Sequence, residues 1–213
     1  MTAESAEDVP LADHPDVNPT RGQWYDRSLA YLEDEVADHR EALVADVDGQ
    51  VLDLGCGTGT AFEQFPEEAE VHALDPERDY LAWATTKTDG VHLAAGQAES
   101  LPYSADTFDA VVCSQVLCSV DDVPTALDEI ARVLCSDGRL HFLEHVHSDG
   151  VAGHVESVLT PLWKRVADGC RLNRDTLSRI EASPLTVTDV ERLSLGRVPP
   201  TTHIRGAARQ VDD

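Results

Sequence analysis

The chain has 213 residues, of which 40 are acidic and 16 basic, so its formal net charge is −24. A surface this negative repels phosphate groups, which excludes bare nucleic acid as an ordinary partner. A chain of about 200 residues is expected to form one domain that buries roughly 70% of the surface of its unfolded state, and such a core needs no disulfide staple.

The charged residues indicate adaptation to high salt. The bases include only two lysines, Lys87 and Lys164, and the acids are spread over most of the chain. Their mutual repulsion destabilises a folded protein in dilute buffer, but at about 1 M salt the Debye length falls to about 3 Å and the repulsion is screened. The composition therefore predicts the cytoplasm of a halophile.

The cysteines and the N-terminal sequence favour the same compartment. The five cysteines are odd in number and contain no Cys-x-x-Cys pair, which argues against a disulfide framework and a zinc site. The first residues have neither a basic start nor an apolar core, and no run of about 18 apolar residues occurs. We therefore expect reduced thiols, no secretory signal and no membrane-spanning helix.

In chain order, the sequence predicts a mobile acidic N-terminal arm over residues 1–20 and a single domain over residues 21–213. Within the domain, apolar residues of the segment 21–49 keep a loose helical spacing, so one or two helices are expected there, acting as a lid. Short apolar runs alternate with helical segments over residues 50–150, which is typical of βαβ units around a parallel sheet. The predicted strands occupy residues 51–54, 71–74, 91–95, 110–113 and 140–143.

Three further elements are predicted from spacing. An apolar stripe over residues 123–134, with Pro124 in the first turn and Gly138 just past the end, predicts a packed helix. The C-terminal part, residues 151–213, is expected to begin with a helix that is bent at Pro161. It is expected to end in a hairpin of two strands, over residues 185–195 and 202–208.

The stretch Val51-Leu-Asp-Leu-Gly-Cys-Gly-Thr-Gly59 carries the strongest chemical signal. A buried strand runs directly into three glycines and then into a segment expected to be helical. Such a loop lets a ligand approach the backbone and exposes N–H groups to it. Asp75 follows at the end of the next predicted strand, where its carboxylate is placed to accept hydrogen bonds from two ribose hydroxyls. Together these features predict a nucleoside site.

The glycine spacing separates two families of nucleoside-binding folds. A dinucleotide-binding loop, Gly-x-Gly-x-x-Gly, would have its third glycine at position 60, which is Thr60. The observed Gly-x-Gly-x-Gly, led by Val-Leu-Asp-Leu, resembles the first motif of the class I S-adenosylmethionine-dependent methyltransferases. Gly96-Gln-Ala-Glu-Ser-Leu-Pro102 resembles their adenine loop, and residues 108–112 and 131–138 resemble their fourth strand and the helix and turn before the fifth. Gln97 stands where many relatives have an acid beside the adenine amino group.

This resemblance implies a Rossmann-like α/β fold, in which a doubly wound seven-stranded sheet, mostly parallel with the last strand antiparallel, carries helices on both faces. It also implies S-adenosylmethionine as the cofactor and S-adenosylhomocysteine as its product. The residues expected to bind the cofactor are Tyr25, Gly55, Cys56, Gly57, Thr58, Gly59, Asp75, Pro76, Gln97, Ala98 and Cys113.

Four segments narrow the resemblance to the methyltransferase-like thiol S-methyltransferases: residues 116–120, 143–146, 161–163 and 168–174. This group implies methyl transfer to the sulfur of a small thiol. Its animal members carry an N-terminal hydrophobic membrane anchor. Nothing in residues 1–50 resembles one, so no membrane anchor is expected.

The candidate catalytic bases are His145 and Asp168. A base would remove the proton of a thiol, because the thiolate is the nucleophile. His145 follows the fifth predicted strand at the edge where open α/β sheets bind their ligands. His141 and His147 alternate with it, but no cysteine or acid pair completes a ligand set, so no metal is expected.

Several candidates also have a structural interpretation. Asp53 lies within an apolar strand, so bracing of the glycine loop by a hydrogen bond is favoured over direct ligand contact. Packing explains Cys113, Cys118 and Cys170 more readily than catalysis does. Tyr25 either packs within a helix or closes over the cofactor as part of a lid.

These patterns predict a methyltransferase that acts on a small molecule, and they favour a thiol as the methyl acceptor. Other acceptors, such as a quinone precursor, a lipid amine or an arsenic thiolate, stay open because a fold does not determine the acceptor. A non-catalytic nucleoside-binding module is the alternative from another class, and a nicotinamide oxidoreductase is disfavoured by the glycine spacing. The expected state is a monomer or a weak homodimer with no nucleic acid bound.

Overall fold

The computed structural model describes residues 17–88, 90–148, 150–166, 169–195 and 201–210. Within them, seven strands form one sheet: β1 Gly49–Leu54, β2 Ala69–Asp75, β3 His92–Ala95, β4 Phe108–Ser114, β5 Leu134–His145, β6 Leu185–Leu195 and β7 Thr201–Gln210. Their order across the sheet is β3-β2-β1-β4-β5-β7-β6.

The strand directions confirm the predicted fold class. β1 pairs in parallel with β2 and β4, and parallel pairing continues to β3 on one side and β5 on the other. β7 is antiparallel to both β5 and β6. Since parallel strands end at the same edge of a sheet, the loops after β1, β2, β4 and β5 meet at one edge, the C-terminal edge.

The helices of the described part are α1 Pro19–Val44, α2 Arg78–Ala84, α3 Val123–Val133, α4 Gly150–Val166 and α5 Thr176–Glu181. The side chains of Asn18 and Asp122 accept hydrogen bonds from backbone N–H groups in the first turns of α1 and α3, at 3.1 and 3.3 Å. A proline in the same turn needs no hydrogen-bond partner for its nitrogen. Capping residue and proline together define where each helix begins.

The central strands of the sheet, β1 and β4, are largely buried on both faces. On one face, Leu52 and Phe142 belong to the same core as Ile130 of α3. On the other face, Val51 packs with Val44 of α1. Consecutive residues of a strand point to opposite faces, so a strand covered on both sides must be apolar throughout. This explains the short continuous apolar runs of the sequence.

The chain after Gly59 differs from the predicted helix. It forms only a 3-10 turn at Phe62–Gln64 before β2 begins. Phe65 is extended, with φ −69° and ψ 140°. That conformation is the one favoured by a residue that precedes proline, here Pro66, so the proline stops the helix.

The N-terminal boundary also differs from the prediction. α1 is one helix that begins at Pro19, inside the segment predicted as an arm, while residues 1–16 lie outside the described residues. α4 contains Pro161, as predicted. None of the helices described here combines the length and the apolarity that a bilayer crossing requires.

Candidate functional site

The glycine loop follows β1 at the C-terminal edge of the sheet. Gly55 and Gly57 have positive φ angles of 70° and 54°, a conformation that favours glycine. A Cβ on Gly55 would lie 2.5 Å from Val116 Cγ2, so this glycine is close-packed. Among the described residues, no atom lies within 4 Å of where a Cβ on Gly57 would be. Of the three glycines of this loop, Gly57 is therefore the one that borders open space.

Asp75 ends β2 directly beside this loop and is 7% exposed. Its Oδ2 accepts a hydrogen bond from the Gly57 N–H at 2.9 Å, and its Oδ1 accepts one from the Glu77 N–H at 2.8 Å. The Gly57 N–H is therefore bonded to Asp75, whereas the sequence predicted that N–H groups of this loop face the ligand. The carboxylate fixes the loop and lies at the strand end where ribose hydroxyls were expected.

Asp53 and Arg40 form a buried electrostatic centre next to the loop. Asp53 is 3% exposed, and its Oδ2 has no hydrogen-bond partner in the described structure. Burial raises the pKa of Asp53 to about 7, the charge of Arg40 opposes this rise, and the charge of Asp75 adds to it. Arg40 donates to Thr60 Oγ1 at 3.1 Å and to Ser114 Oγ at 3.4 Å. The bracing hydrogen bond predicted for Asp53 is absent at this Oδ2 atom.

Asp26 connects α1 to the glycine loop and to α2. Its Oδ1 accepts hydrogen bonds from Thr58 Oγ1 at 2.7 Å and from Lys87 Nζ at 3.1 Å, and its Oδ2 accepts one from Trp83 Nε1 at 3.2 Å. Burial raises the pKa of Asp26, but these three donors outweigh burial and lower it. The carboxylate is therefore a charged clamp between the first turns of α1 and the loop.

Tyr25 lies beside this clamp. Its ring stacks on the ring of Tyr80 in α2, with centroids 4.6 Å apart, while the neighbouring Trp24 is 70% exposed. The stack supports the packing interpretation of Tyr25, and it also places α1 over the first turn of α2. Contact between Tyr25 and a cofactor stays a prediction.

The other predicted cofactor residues lie in different environments. Pro76 and Gln97 are exposed, and Ala98 is buried. The thiols of Cys56 and Cys113 are buried, and burial raises the pKa of both. Cys113 belongs to the hydrophobic core, which favours packing for this residue. Gly59 donates its N–H to the Cys56 carbonyl at 2.9 Å and closes the loop as a turn.

Glu144, near the end of β5, organises the loop after β4. Its carboxylate is fully buried and accepts hydrogen bonds from the N–H groups of Val116, Leu117 and Cys118 at 2.9, 2.8 and 3.1 Å. Burial raises the pKa of Glu144, and the three donors act in the opposite direction. The Val116 side chain packs against Gly55, with Cγ2 2.5 Å from where a Cβ would lie. Because Glu144 holds the Val116 backbone, it also fixes one wall of the glycine loop.

The C-terminal part of the chain holds the same loop from the other side. Arg174 Nη1 donates to the carbonyls of Leu117 and Val120 at 2.6 and 2.7 Å. The Arg171 N–H donates to the Cys118 carbonyl at 3.1 Å. Both arginines belong to the segment that resembles the thiol S-methyltransferases, so that segment has a structural task here.

Cys118 and Cys170 meet at this junction. The interaction between their side chains raises the pKa of Cys118 and lowers the pKa of Cys170. Cys118 is 1% exposed. The pair joins the loop after β4 to the segment after α4.

His145 ends β5 and is buried. Neither ring nitrogen has a hydrogen-bond partner in the described structure, and the ring meets that of His203 edge-on at 5.3 Å. Burial, and then the neighbouring His203, lower the pKa of His145 to about 4. Asp168, the other candidate base, lies outside the described residues. The structure therefore positions one of the two candidates.

The three histidines on and just after β5, His141, His145 and His147, have separate surroundings. His147 Nδ1 lies 3.9 Å from Glu156 Oε2, and burial lowers the pKa of His141. In the described part of the chain, His141, His145 and His147 do not form a group of potential metal ligands.

The chemistry of these groups fits S-adenosylmethionine. The cofactor carries ribose hydroxyls, an ammonium group and a positive sulfur. Asp75 offers an acceptor-only carboxylate, Gly57 borders open space, and Asp53 has a buried carboxylate oxygen without a hydrogen-bond partner. A polar cationic ligand would satisfy such an oxygen, which burial otherwise penalises.

Three residues that organise the loops of the candidate site were not predicted from the sequence. Glu144 carried the same signal as Asp53, an acid within an apolar run. Asp26 followed the tyrosine that was assigned to the lid, and only the packing of α1 on α2 reveals its role. Arg40 carried no signal beyond being one of few bases.

The comparisons with known proteins agree with this geometry. The family described as "Methyltransferase domain" matches residues 52–142. Thiol S-methyltransferase TMT1B of Homo sapiens is 35% identical over 169 residues, which cover 74% of this chain and 69% of that protein. Demethylmenaquinone methyltransferase of Thermobifida fusca is 41% identical over 118 residues, which cover 51% of this chain and 50% of that protein. The chain spans 62 to 69% of the length of the mammalian thiol S-methyltransferases that it matches.

A solved structure, the YcgJ protein from Bacillus subtilis, has the same fold. Its TM-score is 0.68 at 18% identity, covering 83% of this chain and 100% of that one. At this identity the likeness supports the fold alone.

Proposed function

We propose that this chain, which belongs to the class I S-adenosylmethionine-dependent methyltransferases, transfers the methyl group of its cofactor to the sulfur of a small thiol. The observation that carries the proposal is the reach of the similarity to the human thiol S-methyltransferase. It covers 74% of this chain, whereas the family match covers only residues 52–142. The additional similarity therefore includes part of the chain outside residues 50–150, the segment predicted as the cofactor-binding core.

We assign cofactor binding to the residues around the glycine loop. When bound, S-adenosylmethionine supplies a methyl group on a positively charged sulfur. Asp75 would accept the ribose hydroxyls, Gly57 would border the cofactor, and Gln97 with Ala98 would contact the adenine. The first turns of α1, held by Asp26, would close over the site and exclude water. The protein's main task is then to align the nucleophile with the methyl group.

The acceptor end of the site would lie between the loop after β4 and the segment after α4. Glu144 and Arg174 hold this loop through five hydrogen bonds to its backbone. A rigid wall of this kind supports positioning of a small nucleophile. Cys118 and Cys170, at the same junction, would be wall residues, because methyl transfer from a sulfonium needs no covalent enzyme intermediate.

The low pKa of His145 argues against a role for this residue as the base that forms the thiolate. With a pKa of about 4, this side chain is neutral at pH 7 and is a weak base. Moving a proton to it from a thiol with a pKa of about 8.5 would cost about 6 kcal/mol. We therefore assign His145 to the wall of the acceptor site and expect the acceptor to react as a thiolate formed before binding. An aspartate with the ordinary pKa of about 3.9 would face the same cost, so Asp168 stays the proposed base only on the condition that its surroundings raise its pKa.

Calorimetry in molar KCl with S-adenosylhomocysteine, S-adenosylmethionine and NADH tests the cofactor. The two sulfur nucleosides should bind and NADH should not. A screen of alkyl and aryl thiols, with the methylated product detected by mass spectrometry, then tests the acceptor. Failure of every thiol with intact S-adenosylmethionine binding would contradict the thiol proposal and leave the cofactor assignment standing.

A quinone precursor is the second candidate acceptor. The demethylmenaquinone methyltransferase of Thermobifida fusca is 41% identical, although over only 118 residues. Including a demethylated quinone in the same screen separates the two candidates. Methylation of the quinone with no methylation of thiols would select this second function.

A further inference from the structure

A cluster of three potential ligands lies on β2 and β3, away from the glycine loop. Glu70 and His72 are two residues apart on β2, and His92 is paired with His72 across the parallel ladder. Side chains two residues apart on a strand share a face, and paired residues of neighbouring strands lie side by side. The sheet therefore brings one carboxylate and two imidazoles to one patch of its surface.

The distances within this patch suit a shared cation. One ligand atom from each residue lies within 4.8 Å of the others, and Glu70 Oε1 is 3.8 Å from His92 Nε2. A tetrahedral zinc ion with bonds of about 2.0–2.1 Å holds its ligand atoms about 3.3 Å apart. The side chains of Glu70 and His92 are 57% and 63% exposed, which leaves both of them room to rotate toward a shared ion.

Neighbouring side chains orient two of the three ligands. Gln50 Nε2 donates to Glu70 Oε2 at 2.6 Å, so the other oxygen, Oε1, is the one nearest His92. The ring of His72 meets the rings of Tyr103 and Phe108 edge-on, at 5.9 and 5.5 Å. The hydrogen bond to Glu70 is of the kind that orients a carboxylate ligand in metal sites, and the ring contacts hold His72 by packing.

We propose that Glu70, His72 and His92 form a binding site for a divalent transition-metal cation, with Zn²⁺ as its representative. Two imidazole nitrogens and one carboxylate oxygen suit zinc and its neighbours, whereas Ca²⁺ and Mg²⁺ prefer oxygen ligands alone. Water would complete a tetrahedral set at this open surface. The sequence predicted no metal, because it considered the histidines around β5, and those do not converge in the described residues.

The site would fasten β3, the short outermost strand, to β2. β3 has only four residues and pairs with β2 alone in the sheet order. Glu70 and Asp75 lie five residues apart on β2, about 16 Å at the rise of a strand. A cation there would act on stability, and the proposal does not depend on the methyl acceptor.

Zinc binding to the chelator-treated protein in 1 M KCl tests the proposal, because high salt screens unspecific attraction to the acidic surface. We expect one equivalent of Zn²⁺ per chain. At a concentration 100 times the dissociation constant, the melting temperature should rise by about 5 to 10 °C. His92→Gln, His72→Gln and Glu70→Gln should each weaken binding about tenfold or more. His154→Gln and Glu67→Gln, at exposed residues outside the cluster, serve as matched controls and should bind as the unchanged protein does.

If His72→Gln impairs folding, His92→Gln still tests the site, because His92 is exposed on the outermost strand and its replacement should not disturb the fold. The absorption spectrum of bound Co²⁺ adds a second measurement, since thiolate ligands give an intense near-ultraviolet band that imidazole and carboxylate ligands lack. Binding with equal affinity in the variants and the unchanged protein would overturn the proposal. So would a thiolate band, or the absence of stoichiometric binding.

Discussion

Asp75 has two tasks at the residue scale, because its carboxylate holds the glycine loop and lies at the proposed ribose position. We expect Asp75→Ala to weaken S-adenosylhomocysteine binding by about 1.5 to 3 kcal/mol, roughly 10- to 150-fold, the range for hydrogen bonds to a charged group. Calorimetry measures this loss.

The matched control for Asp75→Ala is Asp109→Ala. The Asp109 carboxylate also accepts a backbone N–H, that of Gln50 at 2.8 Å, but at the opposite end of β1. Removing the Asp109 carboxylate shows the effect of losing a bond to a backbone N–H at a position away from the proposed cofactor site. Equal affinities in Asp75→Ala and the unchanged protein would show that the ribose assignment is wrong.

Asp53 makes stability depend on pH. An aspartate titrates near pH 3.9 in an unfolded chain, while the pKa of Asp53 in the folded protein is about 7. The folded state therefore binds more protons between these values, so the free energy of unfolding falls as the pH rises from about 4 to 7, by at most about 4 kcal/mol. Asp53→Asn cannot ionise and should lack this loss. Its stability relative to the unchanged protein should increase across that window.

Urea unfolding in molar KCl at pH 5 and pH 8 measures this difference for the cofactor-free protein. Asp109→Asn is the control, because it removes an exposed carboxyl group. A stability difference between Asp53→Asn and the unchanged protein that is the same at both pH values would contradict the role of Asp53.

The pH dependence of a His145 variant distinguishes a general base from a residue that only lines the acceptor site. Because its pKa is about 4, we expect His145→Asn to lower the rate of thiol methylation by the same factor at pH 7 and pH 9. Loss of a general base would instead cost about 10²- to 10⁴-fold at pH 7 and much less where thiolate is abundant. Asp168→Asn, measured in parallel, should show that second pattern if Asp168 is the base. His154→Asn is the control.

At the scale of elements, α1 depends on Asp26 for its hold on the cofactor site. Asp26→Ala removes the hydrogen bonds to Thr58, Trp83 and Lys87, and we expect it to destabilise the packing of α1 on the glycine loop and on α2 by about 1 to 3 kcal/mol. Amide hydrogen exchange over residues 19–28 should accelerate, and S-adenosylhomocysteine should bind more weakly.

Arg21→Ala is the matched control for this clamp. It removes the ion pairs of Arg21 with Glu77 and Asp79 and its contact with the Tyr80 ring, all between α1 and α2, where the Arg21 side chain is 53% exposed. Ion pairs of an exposed side chain contribute at most about 1 kcal/mol each, so amide exchange over residues 19–28 should accelerate less in this variant than in Asp26→Ala. Equal exchange in Asp26→Ala and Arg21→Ala would contradict the clamp.

The strands were predictable because burial on both faces leaves a pattern in the sequence. The interiors of β1, β2 and β4 coincide with short apolar runs, and β6 has the bounds 185–195 that spacing predicted. The turn after Gly59 was not predictable from apolar spacing alone, since Pro66 acts on the conformation of the residue before it.

The residues of the candidate site also fall into a group that the sequence predicted and a group that it did not. The glycines and Asp75 follow local rules about strand ends, so the sequence predicted their place. Asp26, Arg40 and Glu144 act on residues 32, 20 and 28 positions away in the chain. Contacts of that kind depend on how the helices and loops pack, which no local pattern records.

At the scale of the whole molecule, charge repulsion sets the conditions for stability. The repulsion that results from a net charge of −24 acts over about 10 Å at 0.1 M salt and about 3 Å at 1 M. We propose that the protein works in a salt-rich cytoplasm, on the strength of this charge and the scarcity of lysine. The melting temperature should then rise as KCl increases from 0.1 to about 2 M, because screening removes repulsion from the native state.

A charge-reduced variant separates screening from other effects of salt on stability. Glu63, Glu67 and Glu68 are exposed acids close together in the chain, and changing all three to glutamine lowers the net negative charge from 24 to 21. This variant should melt higher than the unchanged protein at 0.1 M KCl, and the two melting temperatures should converge at about 2 M. Differential scanning calorimetry measures both slopes. A melting temperature that is flat or falls with KCl, or a variant that gains nothing at low salt, would show that the halophile interpretation is wrong while leaving the methyltransferase assignment untouched.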